Sequence, residues 1–319
     1  FRQINNCYKE NFDYFITSGL YDELVKKNLL ISHEEVSLKE AVTEDAYKII
    51  KPEKIKFISY PYEWCFSQLK DAALLTLKIQ KKALEKGMSL KDASAYNIQF
   101  KEGKPILIDT LSFEKYREGE PWVAYRQFCQ HFLAPLLLAK YKDFRLIKLL
   151  SIFIDGIPLD LASKLLPSKT YLKFSVFTHI HLHARTQLHF ADKPVKKKAR
   201  INKFSLLAIV DGLESAIRRM SLKKQKTEWE DYYDFTNYTR EGFLDKKSLI
   251  GEYIDATGIN SGKILDLGAN TGIFSRIGSQ KGFFVLSVDF DHNAIEKNYL
   301  TLKENKEKNI LPLVIDLFS

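Results

Sequence analysis

Four residues at fixed spacing carry the chemistry most legible in this chain: Asp266, Gly268, Gly272 and Asp289. The stretch 263–272 reads KILDLGANTG. Apolar residues flank Asp266 like the end of a buried parallel strand. Gly268 and Gly272 suit a tight turn and close approach of backbone to a ligand. The residues from Ile273 to Ile277 read as the first turns of a helix. Strand, glycine turn and helix in that order bind nucleotide-like ligands in open α/β sheets. A second strand, 284–288, ends at Asp289, 21 residues after Gly268, where an acid can accept hydrogen bonds from ribose hydroxyls.

The ligand is narrowed by what the turn lacks. Asn270 and Ile273 occupy the second and third glycine positions of G-x-G-x-x-G, so the dinucleotide fingerprint is not met. No G-x-x-x-x-G-K-[ST] phosphate loop is present here either. The stretch resembles motif I of the class I S-adenosylmethionine-dependent methyltransferases. The resemblance implies that Asp266, Gly268, Ala269, Asn270, Thr271 and Gly272 surround the methionine end of that cofactor. It also implies that Asp289 holds the ribose, and that Asp316, closing a third strand at 311–315, faces the adenine amino group. Asn270 stands where glycine is commoner in that family. Tyr238, Lys246 and Lys247 are candidates for a lid ahead of the motif strand, with aromatic packing as the competing reading.

A second constellation lies earlier. Asp92 and Asn97 follow a long helix, and Asp109 follows the hairpin formed by 98–108. This order resembles the catalytic centre of protein-kinase-like folds, where two acids and an asparagine receive a substrate proton and hold metal. Leu90-Lys91 replaces the usual His-Arg, Asp109 begins Asp-Thr-Leu instead of Asp-Phe-Gly, and no glycine-rich loop precedes them. Three readings stay open: a kinase-like scaffold without phosphotransfer, which is favoured; a working phosphotransferase using magnesium and ATP; and Asp and Asn residues that cap turns.

Stepping outward, 319 residues suggest about two domains. Hydrophobic residues at 45% can fill real cores, and 28% charged residues give an ordinary soluble surface. Cys7, Cys65 and Cys129 are widely spaced, which suggests reduced thiols in a cytosolic protein. No apolar run approaches the ~20 residues of a membrane span. The net charge of +9 has a local origin, since eleven Lys and Arg stand against Asp211 and Glu214 between Lys193 and Lys226. A solvated inter-domain connection is favoured for it over a nucleic-acid-facing patch, because aromatic interleaving is nearly absent. His179, His181 and His183 alternate, with His189 six further on, but no Cys or Glu lies nearby to complete a metal site, so packed histidines are expected.

The expected elements are mostly helical over 1–47, two short strands over 46–60 with 55–60 the clearer, and a helix over 67–86 stopped by Gly87. Helices are expected over 122–138, with a kink at Pro135, over 144–154, over 201–220 and over 294–305. The expected fold is an α+β, mostly helical N-terminal domain with kinase-like features over 1–225, ending in a basic linker. An α/β Rossmann-like methyltransferase domain follows over 226–319. That second domain holds only three strands and two helices, so it is expected to be cut short at its C-terminus, and the absence of an initiator Met suggests an N-terminal truncation.

Four further blocks, ISYPYEW at 58–64, LKDASAYN at 90–97, IDTLSF at 108–113 and PWVAYRQF at 121–128, resemble a bacterial family described as class I methyltransferases related to a nodulation protein. The resemblance implies S-adenosylmethionine-dependent methyl transfer and leaves the acceptor unknown. The alternatives are phosphotransfer by the first domain, or a binding module that uses the basic linker.

Overall fold

Ile4, Ile49 and Ile50 are buried, and they sit on strands that meet only through a long-range pairing. In the computed structural model, which describes residues 1–184, 200–222 and 239–316, β1 (Arg2–Asn5) and β2 (His33–Val36) flank β3 (Ala46–Pro52) in an antiparallel sheet of order β1-β3-β2. Between β1 and β2 run α1 (Lys9–Thr17) and α2 (Leu20–Lys26), separated by Gly19 at φ 72°. Residues 1–47 are therefore half strand and loop rather than mostly helical, because β-pairing across more than 40 residues leaves no local periodicity to read. The strand expected over 55–60 is absent as well; Ile58 and Tyr60 point to solvent, and β3 is the strand that finds partners.

The long helix α3 (Phe66–Glu85) ends two residues before Gly87, whose φ of 73° suits the left-handed stop. There follow β4 (Met88–Leu90), β5 (Ile98–Lys101), β6 (Lys104–Leu107) and β7 (Phe113–Lys115). Strands β5 and β6 form the expected hairpin, with Glu102 and Gly103 both at positive φ in its turn, and β4 pairs with β7 antiparallel. Gln80 of α3 receives the N–H of Leu90 at 2.7 Å, and Trp122 Nε1 donates to the Leu90 carbonyl at 2.7 Å, so β4 is pinned from two sides.

The helical run after Trp122 comprises α4 (Tyr125–Phe128), a π-helical turn at Cys129–Leu133 and α5 (Ala134–Tyr141). Pro135 was expected to kink or break a helix. Instead, the wider π turn lies where its ring would crowd the carbonyl of residue 131. The helix expected over 144–154 is a 3-10 segment, Phe144–Ser151. Then come α6 (Leu159–Leu165), α7 (Phe174–Val176), a second π turn at Phe177–His181 and α8 (Lys203–Arg218).

The last elements are α9 (Arg240–Ala256), β8 (Lys263–Leu267), α10 (Ser275–Gln280), β9 (Phe284–Asp289), α11 (His292–Asn305) and β10 (Ile310–Val314). Strands β8, β9 and β10 form a parallel sheet of order β10-β9-β8. Strands β9 and β10 are buried along their whole length, whereas β8 alternates, with Leu265 and Leu267 more than half exposed.

The chain divides into two compact units that are not contiguous in sequence. The first holds 1–55, 70–99 and 105–221, and the second holds 56–69, 100–104 and 222–319. The architecture is mixed α/β. Among the described residues no helix is long and apolar enough to cross a membrane. Cys65 and Cys129 are buried free thiols, and Cys7 is an exposed one.

Candidate functional site

Parallel pairing aligns the carboxyl ends of three strands in the second unit. Leu267 lies opposite Val288, and Val314 opposite Asp289. The Ile315 N–H donates to the Asp289 carbonyl at 3.0 Å, which sets Asp316 beside the end of β9. Asp266, the turn 268–272, Asp289 and Asp316 therefore meet at one end of the sheet, where ligands of open α/β sheets bind.

The turn is built by three left-handed residues, Gly268 at φ 69°, Asn270 at φ 49° and Gly272 at φ 75°. The two glycines serve different ends. A Cβ on Gly272 would sit 2.4–2.6 Å from the side-chain amide of Asn298, so helix α11 packs directly on this position. A Cβ on Gly268 would meet no atom within 4 Å and would project into open space. Asparagine at 270 tolerates its left-handed backbone better than most residues, and its side-chain oxygen accepts the Thr271 N–H at 2.7 Å.

Both oxygens of Asp289 accept backbone N–H groups, Oδ2 from Asn270 at 2.7 Å and Oδ1 from Asp291 at 2.9 Å. Asp266 Oδ2 accepts from Ser275 Oγ at 2.6 Å. Burial raises the Asp266 carboxyl above the ordinary carboxylate range; the Ser275 hydrogen bond opposes this, the Asp289 charge adds to it, and Lys246 opposes it. Behind the turn, Ser275 Oγ, its own proton given to Asp266, accepts from the Ser287 hydroxyl at 2.8 Å, and Asn298 Nδ2 donates to the same Ser287 oxygen at 2.8 Å. Arg276 Nη1 donates to the carbonyls of Thr271 and Gly272 at 3.0 and 2.9 Å and to Asn298 Oδ1 at 3.1 Å, while its Nε donates to Glu307 at 2.9 Å.

The sequence pattern places Ser275 and Arg276 on a helix, Ser287 on a strand and Asn298 on a later helix, but assigns none of them to the site. Ser275 and Arg276 stand on the helix just after the turn, a signal that could have drawn attention to them, whereas nothing local connects Asn298 to Gly272. Tyr238 lies outside the described residues. Lys246 and Lys247 are described: Lys246 Nζ lies 4.6 Å from the centre of the Phe274 ring, Lys247 Nζ lies 4.8 Å from that of Phe243, and the two rings are 5.7 Å apart.

In the first unit, Ser112 links part of the second constellation. Asn97 Nδ2 donates to Ser112 Oγ at 3.5 Å, and Ser112 Oγ donates to Asp109 Oδ2 at 2.6 Å. The Ser112 carbonyl accepts the N–H of Lys91, next to Asp92, at 2.8 Å. Topology thus brings Asp92, Asn97 and Asp109 into one neighbourhood. Each acid also caps its own loop: Asp92 Oδ1 accepts the Ser94 N–H at 2.9 Å, and Asp109 Oδ1 accepts the Leu111 N–H at 3.0 Å. Asp109 is further paired with Arg2.

The three alternating histidines sit on the second π turn and the residues after it, where they serve as packed, hydrogen-bonded side chains. His179 Nδ1 pairs with the Tyr125 hydroxyl, and His183 packs on the Tyr125 ring at 5.0 Å. His181 lies between Ser163 and Thr170 at 2.7 and 2.9 Å, stacked on Tyr171. His189 and most of the basic stretch, 193–199 and 223–226, lie outside the described residues. Among the described residues no group of three His, Cys, Asp or Glu is arranged to hold a metal ion.

The chain is similar to nodulation protein NoeA of Rhizobium meliloti (strain 1021), with 32% identity over 304 residues. The match covers 92% of this chain and 63% of that protein, so the chain spans less than two thirds of its relative's length. No protein-family model and no solved structure matches it.

Proposed function

We propose that the second unit binds S-adenosylmethionine at the carboxyl ends of β8, β9 and β10, and that the protein is a cytosolic methyltransferase acting on an acceptor its sequence does not reveal. One observation carries this reading: parallel pairing gathers Asp266, the left-handed turn 268–272, Asp289 and Asp316 at one end of a sheet of order β10-β9-β8. The residues fit the cofactor. The open space at Gly268 leaves room for a ligand against the backbone, Asp266 offers a carboxylate to an ammonium group, and Asp289 offers one to ribose hydroxyls. Asp316 is suited to the adenine amino group. When bound, the cofactor supplies a sulfonium methyl group for in-line transfer to a nucleophile. The protein's own contribution is positioning and the exclusion of water from the strand ends. Arg276 holds the carbonyls of the turn so that the glycine backbone keeps its shape before ligand arrives.

NoeA bears the name of a nodulation protein. On that similarity a nodulation-related role is proposed for this chain as well. The trio Asp92, Asn97 and Asp109 fits turn capping in the first unit, since both acids accept backbone N–H groups of their own loops.

Calorimetric titration of S-adenosylmethionine into the chain tests the reading. Micromolar affinity is expected, and Asp289→Ala should abolish it. No heat of binding with the wild-type chain would sink it.

A further inference from the structure

In the first unit, four exposed residues follow one another: Tyr171, Leu172, Lys173 and Phe174. Leu172 is 87% exposed and Phe174 83%, among the barest large apolar side chains described. They are held out rather than left loose. Ser168–Leu172 is a 3-10 turn, and α7 begins at Phe174. The turn is anchored by Thr170, which is fully buried; its hydroxyl donates to the Pro167 carbonyl at 2.6 Å and meets His181 Nε2 at 2.9 Å. Tyr171 stacks its ring on His181, and the Phe177 N–H donates to the Lys173 carbonyl at 2.8 Å. Val176, two residues past Phe174, is buried. An anchored turn that presents a leucine and a phenylalanine to water marks a contact surface.

Charge points to what covers it. From Leu161 to Ala184 the chain carries Lys164, Lys169 and Lys173 and no Asp or Glu. All three lysines are exposed, and among the described residues none is ion-paired with a carboxylate. Helix α7 packs on α8, which opens with Lys203 and Phe204, the latter 80% exposed. The acids of α8, Asp211 and Glu214, are taken up by Lys81. Lysine is depleted from the centres of protein–protein interfaces, and nucleic acid gains nothing from a bare leucine, which has no ring to stack on a base. Leucine and phenylalanine interleaved with lysine suit the boundary of a bilayer, where apolar tips enter the acyl region and ammonium groups meet lipid phosphates.

We propose that residues 168–174 form a peripheral docking surface for an anionic lipid membrane. Leu172 and Phe174 enter the headgroup boundary, and Lys169 and Lys173 bind its phosphates. The anchored turn is ordered before contact, so little conformational freedom is lost on binding. Attachment of this kind lies on one face of the bilayer and needs no spanning helix. It is independent of the cofactor reading, which concerns the second unit.

Vesicle co-sedimentation tests this with two probes, pure phosphatidylcholine and phosphatidylcholine containing a third of phosphatidylglycerol. The chain should sediment with the second and far less with the first. Lys169→Gln with Lys173→Gln should weaken that partition roughly 30-fold, the effect of removing two lysines from an anionic surface. Leu172→Ser with Phe174→Ser should weaken it by ~30-fold or more. All four side chains are exposed, so both double variants should melt with the wild type. Sedimentation of the wild type with neither vesicle, or equally with both, overturns the proposal. So does binding that is unchanged in either double variant, which assigns attachment to charges elsewhere in the chain. A duplex oligonucleotide bound in place of vesicles and lost only in the lysine variant gives the surface to nucleic acid. A dimer in place of vesicle binding, lost in the serine variant, gives it to a second copy; either result overturns the membrane.

Discussion

The backbone N–H of Asn270 donates to Asp289 Oδ2 at 2.7 Å, so the glycine turn after β8 is tied to the acid that ends β9. The two features that the sequence separates by 19 residues are one hydrogen-bonded unit. The acid proposed to meet a ribose is thereby also part of the turn's own structure. Replacing Asp289 with Asn keeps the shape but sets an amide nitrogen or a weaker acceptor against the N–H groups of Asn270 and Asp291. The variant should lose ~1–3 kcal/mol of stability in denaturant titration and at least ~10-fold in S-adenosylmethionine affinity. A variant that keeps both would separate the acid from the site.

The two turn glycines should fail in different ways. Gly272→Ala forces a methyl group onto the Asn298 amide at a left-handed position, and it should cost ~2 kcal/mol or more of stability. Gly268→Ala meets no neighbour and carries backbone strain alone, ~1 kcal/mol. Its methyl group would, however, stand in the space assigned to the ligand. Thermal melting paired with calorimetry checks the contrast: Gly268→Ala should lose binding with little loss of melting temperature. Equal loss of stability in both variants would contradict the division of labour.

In the first unit, Asp109→Ala removes the partner of Arg2, of the Leu111 N–H and of the Ser112 hydroxyl together. A loss of ~1–3 kcal/mol is expected, with S-adenosylmethionine binding unchanged and no gain in melting temperature from magnesium and ATP in either wild type or variant. A clear stabilisation of the wild type by magnesium and ATP, lost in the variant, would instead identify the trio as a phosphate-handling site.

Burial pushes His131 and His179 down to about 4, the nearby acids Asp92 and Asp155 opposing the shift at His131 and His183 adding to it at His179. The folded state keeps both neutral over a range where the unfolded chain, with histidines near 6.5, takes up protons. Their contribution is thus whole above pH ~6.5 and is lost as the pH falls toward 4, up to ~3 kcal/mol for each residue. Denaturant titrations between pH 7 and 4.5 should show a steep fall in stability, shallower in His131→Asn or in His179→Asn, if either variant folds. An unchanged slope in both would assign the fall to other groups.

Some features were legible in the sequence because their signals are local. The glycine turn, the stop of α3 at Gly87, the β5–β6 hairpin and the last two strands each rest on residues a few positions apart. What escaped depends on distant partners. Ile55–Tyr60 has a strand-like pattern but finds no sheet, while Arg2–Asn5 looks undistinguished and pairs with Ala46–Ile50. The π turn at Cys129–Leu133 leaves no mark beyond Pro135. At the site, Asp266 and Asp289 could be named from spacing. The grip of Arg276 on Thr271 and Gly272, and the seat of Asn298 against Gly272, follow only from how α10 and α11 lie on the sheet.

Strand β8 also bears on how the protein can be handled. It delivers Asp266 on one face and shows Leu265 and Leu267 to solvent on the other, and among the described residues its outer edge pairs with no strand. An open edge with bare leucines is a nucleus for aggregation. The strict alternation of a strand keeps the remedy apart from the site. Polar substitution at 265 and 267 would raise solubility while leaving the carboxylate between them on its own side of the sheet.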